Sequence, residues 1–271
     1  NSDKSLNFTL LATETNRLTN SGYKTNQTGA SLGTRFEYYD DFFFKLGGSL
    51  FYEKLETDST ASVRQKTQEG DYFDGFLNFN FDYDKRDQKF QTSDGFRSNY
   101  GVDVPLISES YTLTNSFNYK YFSELYEDNI TSISFSFKSA NSINNENVKL
   151  SERLYLSPSK LRGFEFGKVG PKEGDDFVGG NFISSLNLNS TLPQILSNNE
   201  NTDFLIFMDI ANIWGVDYDS SLDDDKIRSS IGIGIDWFTP VGPLTFSLAQ
   251  PLSKSNNDKT ESFRFNLGTT F

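Results

Sequence analysis

Phe76-Leu77-Asn78-Phe79-Asn80-Phe81-Asp82-Tyr83-Asp84 alternates without a break. Leu77, Phe79, Phe81 and Tyr83 fall on one side of an extended chain, and Asn78, Asn80, Asp82 and Asp84 on the other. A period of two marks a strand whose faces meet different surroundings. The pattern returns along the chain. Ile133, Phe135 and Phe137 stand against Ser132, Ser134, Ser136 and Lys138. Leu113, Phe117, Tyr119 and Tyr121, interrupted by Asn115, stand against Thr112, Thr114, Ser116, Asn118 and Lys120. Ile231, Ile233, Ile235 and Trp237 oppose Gly232, Gly234 and Asp236.

The chemistry of the two faces selects the fold class. A soluble sandwich usually dresses its polar face with Lys and Glu. Here that face is Asn, Ser, Thr, Gly and Asp, which suits a wet lumen. The other face carries large aromatics in strand after strand, and the chain holds 27 Phe and 13 Tyr in 271 residues. In a soluble protein these would have to meet inside one core. In a membrane barrel they face lipid, with aromatic girdles at the interfaces. Mean hydropathy is -0.53, and no run reaches the ~20 apolar residues of a spanning helix. A spanning strand escapes that test because only alternate residues touch lipid. The reading is an all-β, transmembrane antiparallel β-barrel, one domain over 1–271.

Twelve strands are predicted, at 5–14, 29–39, 43–55, 73–84, 95–106, 111–122, 130–141, 179–191, 203–214, 228–238, 243–252 and 262–271. Short connections (Tyr39-Asp40-Asp41, and Thr239 to Gly242) alternate with long ones at 15–28, 56–72, 142–178 and 215–227. Short periplasmic turns and long outer loops are the barrel pattern. That parity puts Phe271 on the periplasmic side and the 142–178 loop outside. A loop of that length implies a packed or functional role.

Composition removes several functions. The chain has no Cys and no His. Disulfides, thiolate or zinc sites, and His-dependent catalysis are excluded. No metal site or cofactor is expected, and a hydrolytic barrel enzyme is the weakest of the functional readings. The lack of cysteine also suits an envelope compartment. The net charge of -12 argues against nucleic-acid binding. Acidic clusters such as Asp223-Asp224-Asp225 read as solvated loop surface. The start at Asn1-Ser2-Asp3-Lys4 shows neither Met nor an apolar signal segment, as in a mature product or a fragment.

Two regions stand out. In the C-terminal segment 262–271, Phe263, Phe265, Leu267 and Phe271 share one face, with Gly268 between them. It reads as a lipid-facing final strand and equally as a β-signal recognised by strand pairing. The long loop carries Leu161-Arg162-Gly163-Phe164, then Gly167-Lys168-Val169-Gly170-Pro171, then Val178-Gly179-Gly180-Asn181. Gly179 and Gly180 suit close packing beneath the loop, or a simple bend into the next strand.

At this loop the sequence resembles the BamA family, within the outer-membrane insertase and two-partner-secretion superfamily. Members carry a (Val/Ile/Leu)-Arg-Gly-Phe tip on a loop folded back into the barrel. The resemblance continues through Asp209-Ile210-Ala211-Asn212-Ile213-Trp214, with Ala211 where Gly is common, and through Arg228 to Leu252, RSSIGIGIDWFTPVGPLTFSLAQPL. Asp84-Lys85-Arg86-Asp87, Phe90 and Gly95 resemble the family's Asp-x-Arg-Asp turn, with Thr92 where Pro is usual. The likeness is most specific over 161–271.

The resemblance implies that Arg162 pairs with Asp209 on the inner wall and locks the loop. Asn189 stands where the family has a second acid. It implies sixteen strands, so that the four unaccounted for are the first four and upstream POTRA domains are absent. The implied activity is insertion of unfolded β-barrel clients into the outer membrane. A lateral seam, with 262–271 on one side, opens and accepts client strands. Implied partners are outer-membrane lipid, lipopolysaccharide and accessory assembly lipoproteins. The rivals are a two-partner-secretion transporter and a passive porin-like barrel.

Overall fold

A computed structural model describes residues 4–89, 91–126, 129–192, 201–224, 226–239 and 242–267. The first half contributes β1 (Lys4–Arg17), β2 (Tyr23–Tyr39), β3 (Phe42–Thr57), β4 (Gly70–Asp84), β5 (Gly95–Ile107), β6 (Thr112–Tyr126) and β7 (Asn129–Ser142). A long loop follows, holding a small hairpin, β8 (Lys172–Glu173) with β9 (Asp176–Phe177). Then come β10 (Phe182–Thr191), β11 (Thr202–Trp214), β12 (Arg228–Thr239), β13 (Gly242–Ser253) and β14 (Phe263–Leu267). Apart from the hairpin, all join one 12-stranded sheet in chain order, each antiparallel to the next.

The alternation sorts the sheet as expected. Leu6, Phe8, Leu10, Leu32, Ile233 and Phe263 each leave more than half their surface exposed. These side chains sit on the outer face. Aromatic rings pair across neighbouring strands there: Phe36 with Phe44 at 5.4 Å, Phe44 with Phe81 at 5.0 Å, and Phe182 with Trp214 at 5.6 Å. Near the turns, Phe42, Tyr83, Phe96 and Tyr119 form a further chain of ring contacts, as in an interfacial girdle. The opposite face carries buried Ser49, Asp82, Ser134, Asn187 and Ser230. No helix among the described residues is long and apolar enough to cross a membrane.

Several predicted boundaries move. Residues 15–28 are not a long loop, because the β1–β2 ladder runs from Lys4↔Phe36 to Arg17↔Tyr23. Thr13-Glu14-Thr15-Asn16 has no apolar alternation and so resembles a loop. Its backbone pairs nonetheless, carrying the strands beyond the apolar band. The connection at 58–69 contains a four-residue helix (Val63–Lys66), started by a capping box between Ser62 and Gln65. The strand predicted from 179 begins at Phe182. Gly179 and Gly180 precede it, and Leu154 bridges to Gly180.

The acidic run at 223–225 is not simply solvated either. Asp223 accepts from the backbone of Gly215 and Val216, and Asp224 pairs with Arg228. Phe90, Asp225, Gly268 and Phe271 lie outside the described residues.

Candidate functional site

The loop at 143–181 folds onto the inner face and makes its own core there. Leu156, Leu161, Phe164 and Val169 cluster with Ala211 and Ile213 of β11. This explains why β11 breaks the polar rule of the inner face. Phe207, Ala211 and Ile213 are buried under the loop rather than wetted. Gly179 has φ +69°, and a Cβ on it would lie 2.6 Å from the Leu154 carbonyl oxygen. A Cβ on Gly180 would lie 2.4 Å from the carbonyl of Trp214. Only glycine permits both approaches.

Arg162 sits at the loop's tip. Its Nε donates to Asp209 Oδ2 at 2.7 Å and its Nη2 to Asp209 Oδ1 at 2.6 Å. The Arg162 backbone N–H adds a bond to Oδ2 at 3.0 Å. A planar guanidinium matches a carboxylate in this fork geometry, and the charge strengthens both bonds. Asp209 is fully buried, and Asn187 Nδ2 donates to its Oδ1 at 2.8 Å. Nη2 also donates to Asn189 Oδ1 at 2.8 Å. Asn189 thus serves as a neutral acceptor where the resemblance implies a second acid. The guanidinium carbon lies 3.4 Å from the centre of the Phe207 ring, a cation–π contact.

The next residues tie the tip to the end of the sheet. Ser230 Oγ donates to the Arg162 carbonyl at 2.6 Å. Gly163 has φ +89°, and a Cβ there would lie 3.1 Å from Ala249 Cβ. The Gly163 carbonyl accepts from Glu261 N–H at 3.1 Å, and Phe164 bridges to Thr260. Arg264 of β14 donates to the Phe164 carbonyl at 3.2 Å. Phe263, Phe265 and Leu267 point away, more than half exposed on the outer face. The loop tip therefore touches β10, β11, β12 and the approach to β14 at once.

Three further charged clusters fasten the loop end. Lys149, nearly fully buried, reaches Asp74 at 2.7 Å, Glu53 at 3.2 Å and Glu152 at 3.9 Å. Burial disfavours the Lys149 charge, but the three carboxylates outweigh it and hold its pKa above the usual lysine value. Burial pushes Glu152 up, against Lys149 and the Thr112 and Ser110 hydroxyls. Arg153 pairs with Asp217, which also receives Val148 N–H. Arg228 meets Asp258 at 2.9 Å with both side chains fully buried, and Asp258 accepts from Gly170 N–H. Arg228 opens the family-like stretch, so its motif position was a usable signal. Lys149 gave none, because Glu53 and Asp74 are far away in sequence.

Comparisons with known proteins bear on the fold and the family. The Omp85 superfamily domain model matches residues 1–271. The outer membrane protein assembly factor BamA of Neorickettsia risticii is 25% identical over 266 residues, covering 94% of this chain and 35% of that protein. The BamA of Neisseria meningitidis serogroup B is 30% identical over 139 residues, 41% of this chain and 17% of that protein. The chain thus spans about a third or less of the length of these curated relatives. Among solved structures, BamA from Haemophilus ducreyi lacking POTRA domains 1–3 superimposes with a TM-score of 0.86 at 22% identity, covering 97% of this chain and 58% of that one. CdiB from Acinetobacter baumannii superimposes with a TM-score of 0.62 at 12% identity, covering 98% and 47%. These two likenesses speak to the fold. Outward aromatics, a polar inner wall and relatives of the outer membrane place the protein in the bacterial outer membrane, and the chain belongs to the Omp85 superfamily.

Proposed function

We propose that the protein inserts β-barrel clients into the outer membrane by strand augmentation at a lateral seam formed by β14. The carrying observation is an edge strand at the end of the sheet. β14 pairs with β13 from Leu244↔Leu267 to Leu248↔Phe263 among the described residues. Its other edge is unpaired among the described residues. A strand edge in lipid presents N–H and C=O groups that cost several kcal/mol each when unsatisfied, on the order of 2–7. A client strand that adds there satisfies them and is itself shielded as it enters.

The loop supports this reading in a second way. Arg162 fixes the tip to β10 and β11, while Gly163 and Phe164 hold the segment 260–264 that leads into β14. The loop lock formed by Arg162, Gly163, Phe164 and Asp209 therefore steadies the final strand from inside. Clients are unfolded barrel proteins, and lipid, lipopolysaccharide and accessory lipoproteins are the surroundings in which they would be received. The relatives' name, assembly factor, agrees with this. Secretion of a partner protein through the lumen is the alternative within the superfamily. A passive pore fits poorly with a loop that builds an apolar core on the inner wall.

The test is reconstitution. The full-length protein in proteoliposomes receives a small barrel protein unfolded in urea. Folding faster than in protein-free vesicles is expected. A single Cys at Asn266, in a chain with no Cys of its own, should form a disulfide with a Cys in the client's last strand. No acceleration and no cross-link would refute the proposal. Delivery of a secreted partner into the vesicle lumen would support the transporter instead.

A further inference from the structure

The inner wall carries a basic cavity that the loop lock does not use. Its volume is about 430 Å³, and Lys45, Arg86, Arg97, Lys120 and Lys160 line it. This concentration of cations is set in a chain of net charge -12. The two arginines are neutralised locally: Arg86 by Asp84 at 2.7 Å, and Arg97 by Asp82 at 2.8 Å. The three lysines have no carboxylate within ion-pair distance among the described residues. Lys160, on the inward loop, donates to Ser136 Oγ at 2.6 Å. Lys120 lies 4.5 Å from the Phe122 ring centre, and Asp236 acts on it only from longer range. Lys45 faces Asn80 across the β3–β4 ladder.

Ammonium groups gathered in a confined site repel one another unless a counter-anion joins them. Burial already pushes the Lys160 pKa down, with Asp209 opposing. The walls between the charges carry neutral hydrogen-bonding groups. Asn80 and Asn99 bond to each other at 3.1 Å, and Ser136 donates to Asn118 at 2.9 Å. Such amides and hydroxyls complement the oxygens of a tetrahedral anion. The volume falls in the range of small-ligand sites, roughly 300–1,000 Å³. The site lies on β3 to β7, far in the sheet from β14.

We propose that this cavity is a phosphate-binding site, with Lys45, Lys120 and Lys160 holding the oxyanion and the neutralised arginines shaping its rim. The shared chemistry is a phosphate group, either free or at the tip of a lipid headgroup.

The test uses the full-length protein in detergent, titrated calorimetrically with inorganic phosphate and, separately, with glycerol 1-phosphate. Saturable binding of at least one probe is expected, weakening as salt rises from 0.05 to 0.5 M by roughly tenfold. The double variant Lys45→Gln/Lys120→Gln should weaken it by about tenfold or more, and Lys45→Arg/Lys120→Arg should retain it. Both variants are first checked for the mobility shift on unheated gels that marks a folded barrel. Tighter binding of glycerol 1-phosphate assigns the site to a headgroup, and tighter binding of phosphate to the free ion. Absence of saturable binding in the folded wild type would overturn the proposal. So would binding unchanged in a folded glutamine variant.

Discussion

Replacing Arg162 with alanine strips Asp209 of both fork bonds while leaving the carboxylate fully buried. Removing one partner of a buried pair costs about 3–5 kcal/mol. Asp209 retains the Asn187 bond, and the backbone N–H of residue 162 still reaches it if the loop stays. Those contacts put the loss near the lower end, about 3 kcal/mol. The closed loop then loses roughly two orders of magnitude in its equilibrium over the open one. Asp209→Asn should cost less, about 1–2 kcal/mol, because Arg162 is 14% exposed and keeps Asn189 as acceptor. The double variant should cost less than Arg162→Ala alone, because Asp209→Asn removes the buried charge that the alanine leaves unpaired. Hydrogen exchange across residues 158–166 in the full-length protein reads the loop directly, and the thermal midpoint of the folded gel band reads the barrel. Unchanged exchange in Arg162→Ala, or strictly additive losses in the double variant, would refute the lock.

Gly163→Ala tests the backbone of the same tip. At φ +89° with Ala249 Cβ 3.1 Å away, the added methyl should cost about 1–3 kcal/mol and accelerate exchange at 163–164; exchange equal to wild type would contradict it. Glu152→Gln tests the Lys149 cluster. Burial raises the Glu152 pKa above its unfolded value, so the folded state holds a proton that the unfolded state releases. The group's contribution is therefore full below the unfolded pKa and is lost as pH rises through the raised one. The wild-type thermal midpoint should fall as pH rises above the ordinary glutamate range, and the variant should flatten that slope; a variant with the wild-type slope would exclude Glu152 as its source.

The strands were legible because a membrane wall imposes one rule at every second residue. Phe76–Asp84 shows that rule, and the ladder Phe42↔Tyr83 to Leu55↔Gly70 places it in the sheet. The same rule misread Thr13–Asn16, where pairing continues beyond the apolar band and the period vanishes. It also could not foresee Phe207, which faces inward because a loop, not water, covers it. Arg162 and Asp209 were found through the resemblance of their surroundings to a family, and in the structure they are in direct contact. Nothing local marked Lys149, Arg153 or Asp258 as anchors. Their partners come from strands and loops that are adjacent only after the sheet has formed.

Outside the stretch covered by the loop and the ends beyond the apolar band, local alternation determined which residues meet lipid and which meet the lumen, because that choice depends on a residue and its immediate neighbours. The way the loop is fastened, and the gathering of Lys45, Lys120 and Lys160 around one cavity, depended on curvature, register and loop path. Charges in a confined interior interact according to distance in space. The order of residues along the chain does not contain that distance, and only the assembled sheet supplies it.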